Sequence, residues 1–110
     1  MAWRIFATLE FEKDFKKLDN AIQSQVRKEI EQLKENPFVG KPLGYEFFRE
    51  KKALGYRIYY LIYEESVVVF LAAISNKKQQ QKAIKTIKAL IPFYREEIKR
   101  KIKQGFISKP

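Results

Sequence analysis

The stretch Gly55–Lys78, GYRIYYLIYEESVVVFLAAISNKK, decides how the chain is organised. Two runs dense in Tyr, Ile, Val and Phe flank Glu64-Glu65, the composition of two strands joined by a tight turn. The second run is apolar at odd and even positions alike, so it fits a central strand covered on both faces. Arg57 stands near the start of the first run, where an unpaired charge facing a core is strongly disfavoured. Either it reaches solvent or it meets an anion.

Upstream, Trp3, Ile5, Ala7 and Leu9 alternate at period two and predict a first strand. The period then lengthens. Phe11, Phe15 and Leu18 are spaced for a short helix and Ile22, Val26, Ile30 and Leu33 for a second, with Asn20 and Gln23 fitting a capping box and Asn36-Pro37 supplying the stop. Residues 36–44, NPFVGKPLG, hold two prolines and two glycines and read as a loop, whereas 47–54, FFREKKAL, reads as a strand with a charged centre.

Downstream, Asn76 and Gln79 fit the cap of a third helix whose apolar stripe is Ile84, Ile87 and Ile91. Pro92 ends that helix or opens a last one, in which Tyr94, Ile98 and Ile102 align among basic residues. The expectation is one α+β domain over 1–110 in the order βααβββα. An antiparallel sheet is packed by the N-terminal helical hairpin, with 1–91 as core and 92–110 as an additional C-terminal helical extension.

Composition narrows the chemistry. At 110 residues, 45% hydrophobic and 15% aromatic, the chain is long enough for one unstapled core. It has no cysteine and no histidine, which excludes disulfides, thiolate zinc sites, thiol nucleophiles and imidazole catalysis. No signal peptide or bilayer-length apolar run is present, so the expected compartment is the cytoplasm. Of the net charge of +10, residues 1–76 carry 12 basic and 11 acidic side chains, while 77–110 carry 11 basic and 2 acidic. A neutral body with a basic C-terminal third fits a polyanionic partner, nucleic acid or acidic protein, or else a lysine-rich solvated helix face.

The element order, the loop NPFVGKPL after the hairpin, and GYRIYY running into VVVF across a short turn resemble the RelE/ParE superfamily of bacterial and archaeal toxins from toxin–antitoxin pairs. The resemblance covers roughly residues 3–90; the short members have no counterpart to the segment from Pro92. It implies a cognate antitoxin and, for RelE-type members, entry into the ribosome and metal-independent cleavage of mRNA by attack of the 2′-hydroxyl on the adjacent phosphate. No cofactor, metal or membrane is implied. Arg57 aligns with the arginine that faces the scissile phosphate, which suits a planar, bidentate donor. Lys77 falls where many members carry a second arginine, and with Lys78 it forms a candidate phosphate site at a helix start.

The upstream basic positions of the family fall on Phe48 and Glu50, leaving Lys51 and Lys52 as the nearby candidates for the base. A strand neighbour points to the opposite face, so one residue matters. The family's C-terminal tyrosine falls on Ala83, and Tyr94 stands in for it only if the last helix folds back over the sheet. Tyr59, beside Arg57, is a candidate for stacking an RNA base, although core packing is the commoner fate of a strand tyrosine. Lys82, Lys85, Arg95 and Lys99 are candidate RNA contacts of the basic third. ParE-type members keep the fold without this catalytic set and act on DNA gyrase. Three readings therefore follow: a RelE-like endoribonuclease, a ParE-like or degenerate member acting by protein binding, and a simple nucleic-acid-binding domain.

Overall fold

The two apolar runs pair as expected in the computed structural model, which describes residues 2–105. Tyr56–Tyr63 (β4) runs antiparallel to Val68–Asn76 (β5), joined by a 3-10 turn over Glu64–Ser66. Both strands are interior to the sheet, since β5 also pairs with Arg4–Ala7 (β1) and β4 with Phe48–Ala53 (β3), and both are buried on both faces. The β1–β5 pairing is parallel, so the sheet is mixed and not wholly antiparallel.

A fifth strand, Lys41–Tyr45 (β2), lies where a loop was expected and gives the order β1-β5-β4-β3-β2. Its proline and glycine are tolerated because it is an edge strand: Pro42 needs no outer partner, and the register shifts between Pro42 and Tyr45, where Gly44 adopts φ +92°.

Leu9–Lys16 (α1) and Asn20–Glu35 (α2) cover one face of the sheet. The α2 cap is Asp19, one position earlier than the Asn20–Gln23 spacing indicates, and α1 is capped by Thr8. Thr8 Oγ1 accepts from Phe11 N–H at 3.0 Å and Asp19 Oδ1 from Ile22 N–H at 3.0 Å, while Gln23 Nε2 donates to the carbonyls of Phe15 and Leu18. Leu9 thus belongs to α1 and is exposed. This face buries Phe11, Val26 and Leu33 against Ile58, Tyr60, Val69 and Leu71.

The other face is covered by a single long helix, Gln80–Lys103 (α3), entered through a 3-10 turn at Lys77–Gln79 that Asn76 Oδ1 caps by accepting from Gln79 N–H at 3.1 Å. Pro92 neither ends this helix nor opens a new one. The apolar stripe of Ile84, Ile87, Ile91, Tyr94, Ile98 and Ile102 continues across it and packs on Tyr59, Leu61, Val68 and Phe70, which outweighs the one backbone bond a proline forfeits. Pro92 itself is exposed. The extension is therefore part of a three-layer α/β/α packing. The apolar pair Phe106-Ile107 lies outside the described residues.

Candidate functional site

Arg57 is placed by the β3–β4 hairpin, whose two-residue turn Leu54-Gly55 has positive φ at both positions (48° and 83°). The register sets Lys52 directly opposite Arg57 on β3 and Ser75 opposite it on β5. Directly opposed residues share a face, so Lys52 and Arg57 stand together on the α3 side, with Lys77 and Lys78 following at the end of β5. Lys52, Lys77 and Lys78 are exposed.

Arg57 differs from the open cation that the sequence allowed: it is only 8% exposed. Its Nη1 makes one long bond, 3.5 Å, to Gly55 O, and its Nε is buried with no partner among the described residues. Among the described residues no carboxylate lies within ion-pair distance of it. A buried guanidinium with unspent donors has capacity for an anion.

The neighbouring carboxylate is Glu50, opposite Tyr59 and so diagonal to Arg57. It is 4% exposed, and both its oxygens accept from Gln80 Nε2, at 3.1 and 2.9 Å. Sequence patterning carries little signal for this pairing, because Glu50 has the look of a surface charge in a mixed strand and Gln80 is one of three consecutive glutamines.

Tyr59 is wholly buried, its hydroxyl 2.8 Å from Ser75 Oγ. Burial raises its pKa, with Glu50 adding to the rise and Ser75 and Arg57 opposing it. A side chain with no open ring face cannot stack a base, so the RNA-stacking role expected of Tyr59 is corrected to core packing beneath α3. Lys51 is also corrected. It points to the α2 face, where Nζ pairs with Glu29 Oε1 at 2.8 Å, and only Lys52 shares the face of Arg57.

Tyr94 packs on Phe70 with ring centroids 5.2 Å apart. Phe70 opposes Leu61, four residues along β4 from Arg57, a strand distance of about 13 Å. The helix does fold back over the sheet, but it carries Tyr94 to the opposite end from Arg57. Lys82, Lys85, Arg95 and Lys99 are exposed along α3; Arg95 and Lys99 also reach that opposite end, beside Tyr63.

A five-stranded mixed sheet with a helical hairpin on one face and a third helix on the other is the α+β fold that RelE-like toxin structures share. The sequence model of the ParE toxin of the type II toxin–antitoxin system, parDE, matches residues 5–81, and the chain belongs to that family. Its fold is similar to a doubly substituted Escherichia coli RelE in the free state (TM-score 0.67, 24% identity, 79% of this chain and 99% of that one). It is similar also to the toxin in the intact E. coli RelBE toxin–antitoxin complex (0.64, 25%, 68% and 96%). The RelBE2 complex of Mycobacterium tuberculosis matches comparably (0.63, 25%, 70% and 100%). No curated protein matches the chain. The chain is thus a toxin of a type II toxin–antitoxin system.

Proposed function

We propose that this toxin inhibits translation by cleaving ribosome-bound mRNA, and that a cognate antitoxin holds it inactive. The observation that carries the reading is the register: Lys52 opposite Arg57, with Lys77 and Lys78 closing the same end of the sheet. In the reaction the 2′-oxygen attacks the adjacent phosphorus, Lys52 takes the 2′ proton, and the bond to the 5′-oxygen breaks as Lys77 or Lys78 protonates it. The products are a 2′,3′-cyclic phosphate and a 5′-hydroxyl. Arg57 stabilises the charge that builds on the phosphate oxygens. No metal enters this scheme.

The test is primer extension on mRNA in a purified translation system. Arg57→Ala is expected to lower cleavage by about 10²–10³-fold, the scale of one lost oxyanion donor. Arg57→Lys restores little, because a point charge does not reproduce the fork. Intact message in a system that the wild-type chain nonetheless arrests would overturn the reading.

A second reading is favoured by the burial of Arg57 and by the buried carboxylate of Glu50 diagonal to it, which repels a phosphate. In that reading the toxin acts by protein binding, on DNA gyrase. Inhibition of supercoiling by the purified chain, unaltered by Lys52→Ala, would establish it.

A further inference from the structure

At the end of the sheet remote from Arg57, a cavity of about 330 Å³ opens between α3 and the β4–β5 turn. Its walls include Phe47, Tyr63, Glu64, Glu65, Arg95 and Lys99. Tyr63 is six residues along β4 from Arg57, about 20 Å, so this is a separate site.

Three features of the cavity point to one kind of ligand. The first is aromatic. Tyr45 stacks on Phe47 with centroids 5.0 Å apart and planes 24° apart, and Tyr45 is 47% exposed at the sheet edge, an open platform beside the cavity. The second is a rail of cations. Lys88, Arg95 and Lys99 recur at seven and four residues on one flank of α3, and a Cβ on Gly44, next to Tyr45, would lie 3.1 Å from Lys88 Nζ. Lys88 and Arg95 are about 10 Å apart along the helix, the reach of two phosphates of an extended strand.

The third is polar. Glu64 and Glu65 are exposed and make no ion pair among the described residues, while the Tyr63 hydroxyl, its pKa pushed up to about 12 by burial, stays a neutral donor and acceptor facing Arg95, Tyr94 and Glu97 of α3. Ring platform, phosphate rail and base-edge acceptors together are the complement of single-stranded nucleic acid.

The base can be named from its edge. A carboxylate offers two parallel acceptors, and among the four RNA bases only guanine presents two adjacent N–H donors, N1 and N2, on its Watson–Crick edge. Adenine and cytosine set an acceptor beside their amino group, and uracil flanks its one N–H with carbonyls. We infer that the cavity holds one unstacked guanine of single-stranded RNA, its N1–H and N2–H on Glu64 or Glu65. The neighbouring base lies on Tyr45 and the intervening phosphates on Lys88, Arg95 and Lys99. The inference rests on the reading of RNA as the target and gives the toxin a means of selecting where on a message it settles.

The experiment is fluorescence anisotropy of the full chain at low salt with a labelled uridine oligonucleotide, with or without one central guanosine. The guanosine oligomer is expected to bind about tenfold tighter, the discrimination of one good bidentate base contact. Tyr45→Ala weakens both oligomers by about tenfold, a lost stacking contact. Glu64→Gln with Glu65→Gln removes the guanosine preference without weakening the uridine oligomer. Equal affinity for the two oligomers, or an acidic peptide binding with the same dependence on Tyr45, overturns the inference. Equal affinity leaves the cleavage proposal standing, because that places RNA at Arg57. A guanosine preference lost in the double glutamine variant, together with no mRNA cleavage by the wild-type chain, would support the guanine site and overturn cleavage alone.

Discussion

Lys51 and Glu29 are joined by a 2.8 Å ion pair that ties β3 to α2, on the sheet face turned away from Arg57. Glu29 is nearly buried, its side chain 8% exposed, and its other polar contact is a 3.4 Å bond from Gln25 Nε2. Lys51→Ala would leave that carboxylate poorly partnered, at a cost of about 1–3 kcal/mol. The adjacent Lys52 is exposed and opposes Arg57. Lys51→Ala is therefore expected to lower the urea midpoint while leaving mRNA cleavage per folded molecule intact. Lys52→Ala should do the reverse, with stability changed by less than about 0.5 kcal/mol and cleavage reduced by about 10²-fold or more. Equal effects of the two substitutions on cleavage would show that strand alternation does not sort their roles.

This pair also shows what was legible in the sequence. The alternation of GYRIYYLIY determined which residues share a face: Tyr56 and Tyr60 pack with the α1–α2 side, Tyr59 and Tyr63 with the α3 side. The face of Lys51 and Lys52 was equally determined once β3 and β4 were in register. The depth of burial at the Tyr63 end was not legible, because it depends on α3 continuing through Pro92. A proline at that place is an ordinary stop signal, and only packing on Phe48 and Phe70 overrides it. The same continuation carried Tyr94 away from Arg57, whereas Tyr59 is closed to RNA by the start of α3, where Gln80 bonds the Glu50 that stands opposite it. Strand β2 was hidden for a related reason, since edge pairing needs no apolar pattern.

Gly40 sits where no side chain fits. A Cβ there would lie 2.2 Å from Tyr60 Oη and 2.7 Å from the Glu50 carbonyl oxygen, and its N–H donates to Tyr60 Oη at 3.1 Å. Gly40→Ala is expected to destabilise by about 1–3 kcal/mol through overpacking. Because one of the two clashes is with the hydroxyl, adding Tyr60→Phe should recover part of the loss, and a double-mutant cycle should show non-additivity. Strict additivity would mean that the loop at Pro37–Val39 moves aside instead.

Alkaline pH should destabilise the chain through its tyrosines. Burial pushes the pKa of Tyr60 and of Tyr63 up from 10.0 to about 12, so each neutral phenol is favoured by folding. Between those values the unfolded chain has released protons that the folded chain still binds, and unfolding becomes easier as pH rises. The stabilisation is fully present below pH 10 and is lost as pH rises through about 12. Urea midpoints across this range should fall less steeply for Tyr63→Phe than for the wild-type chain. An identical slope would place Tyr63 in an environment as wet as the unfolded chain.

The segment after Ile91 is expected to be needed for folding and not only for binding. Ile98 is 3% exposed, and with Tyr94 and Ile102 it covers Phe48, Leu61, Val68 and Phe70. Ile98→Ala alone should cost about 2–5 kcal/mol, as for other buried aliphatic truncations. Ending the chain at Ile91 uncovers the whole of that end of the sheet and should leave a protein that unfolds at much lower urea or aggregates. Tyr94→Phe removes a hydroxyl remote from Arg57 and keeps the ring on Phe70, so cleavage should be unchanged. A chain truncated after Ile91 with the stability of the parent would mean that the second half of α3 docks on a partner and not on its own sheet. A cleavage defect in Tyr94→Phe would bring that hydroxyl back into the chemistry, by a rearrangement of α3 on the ribosome.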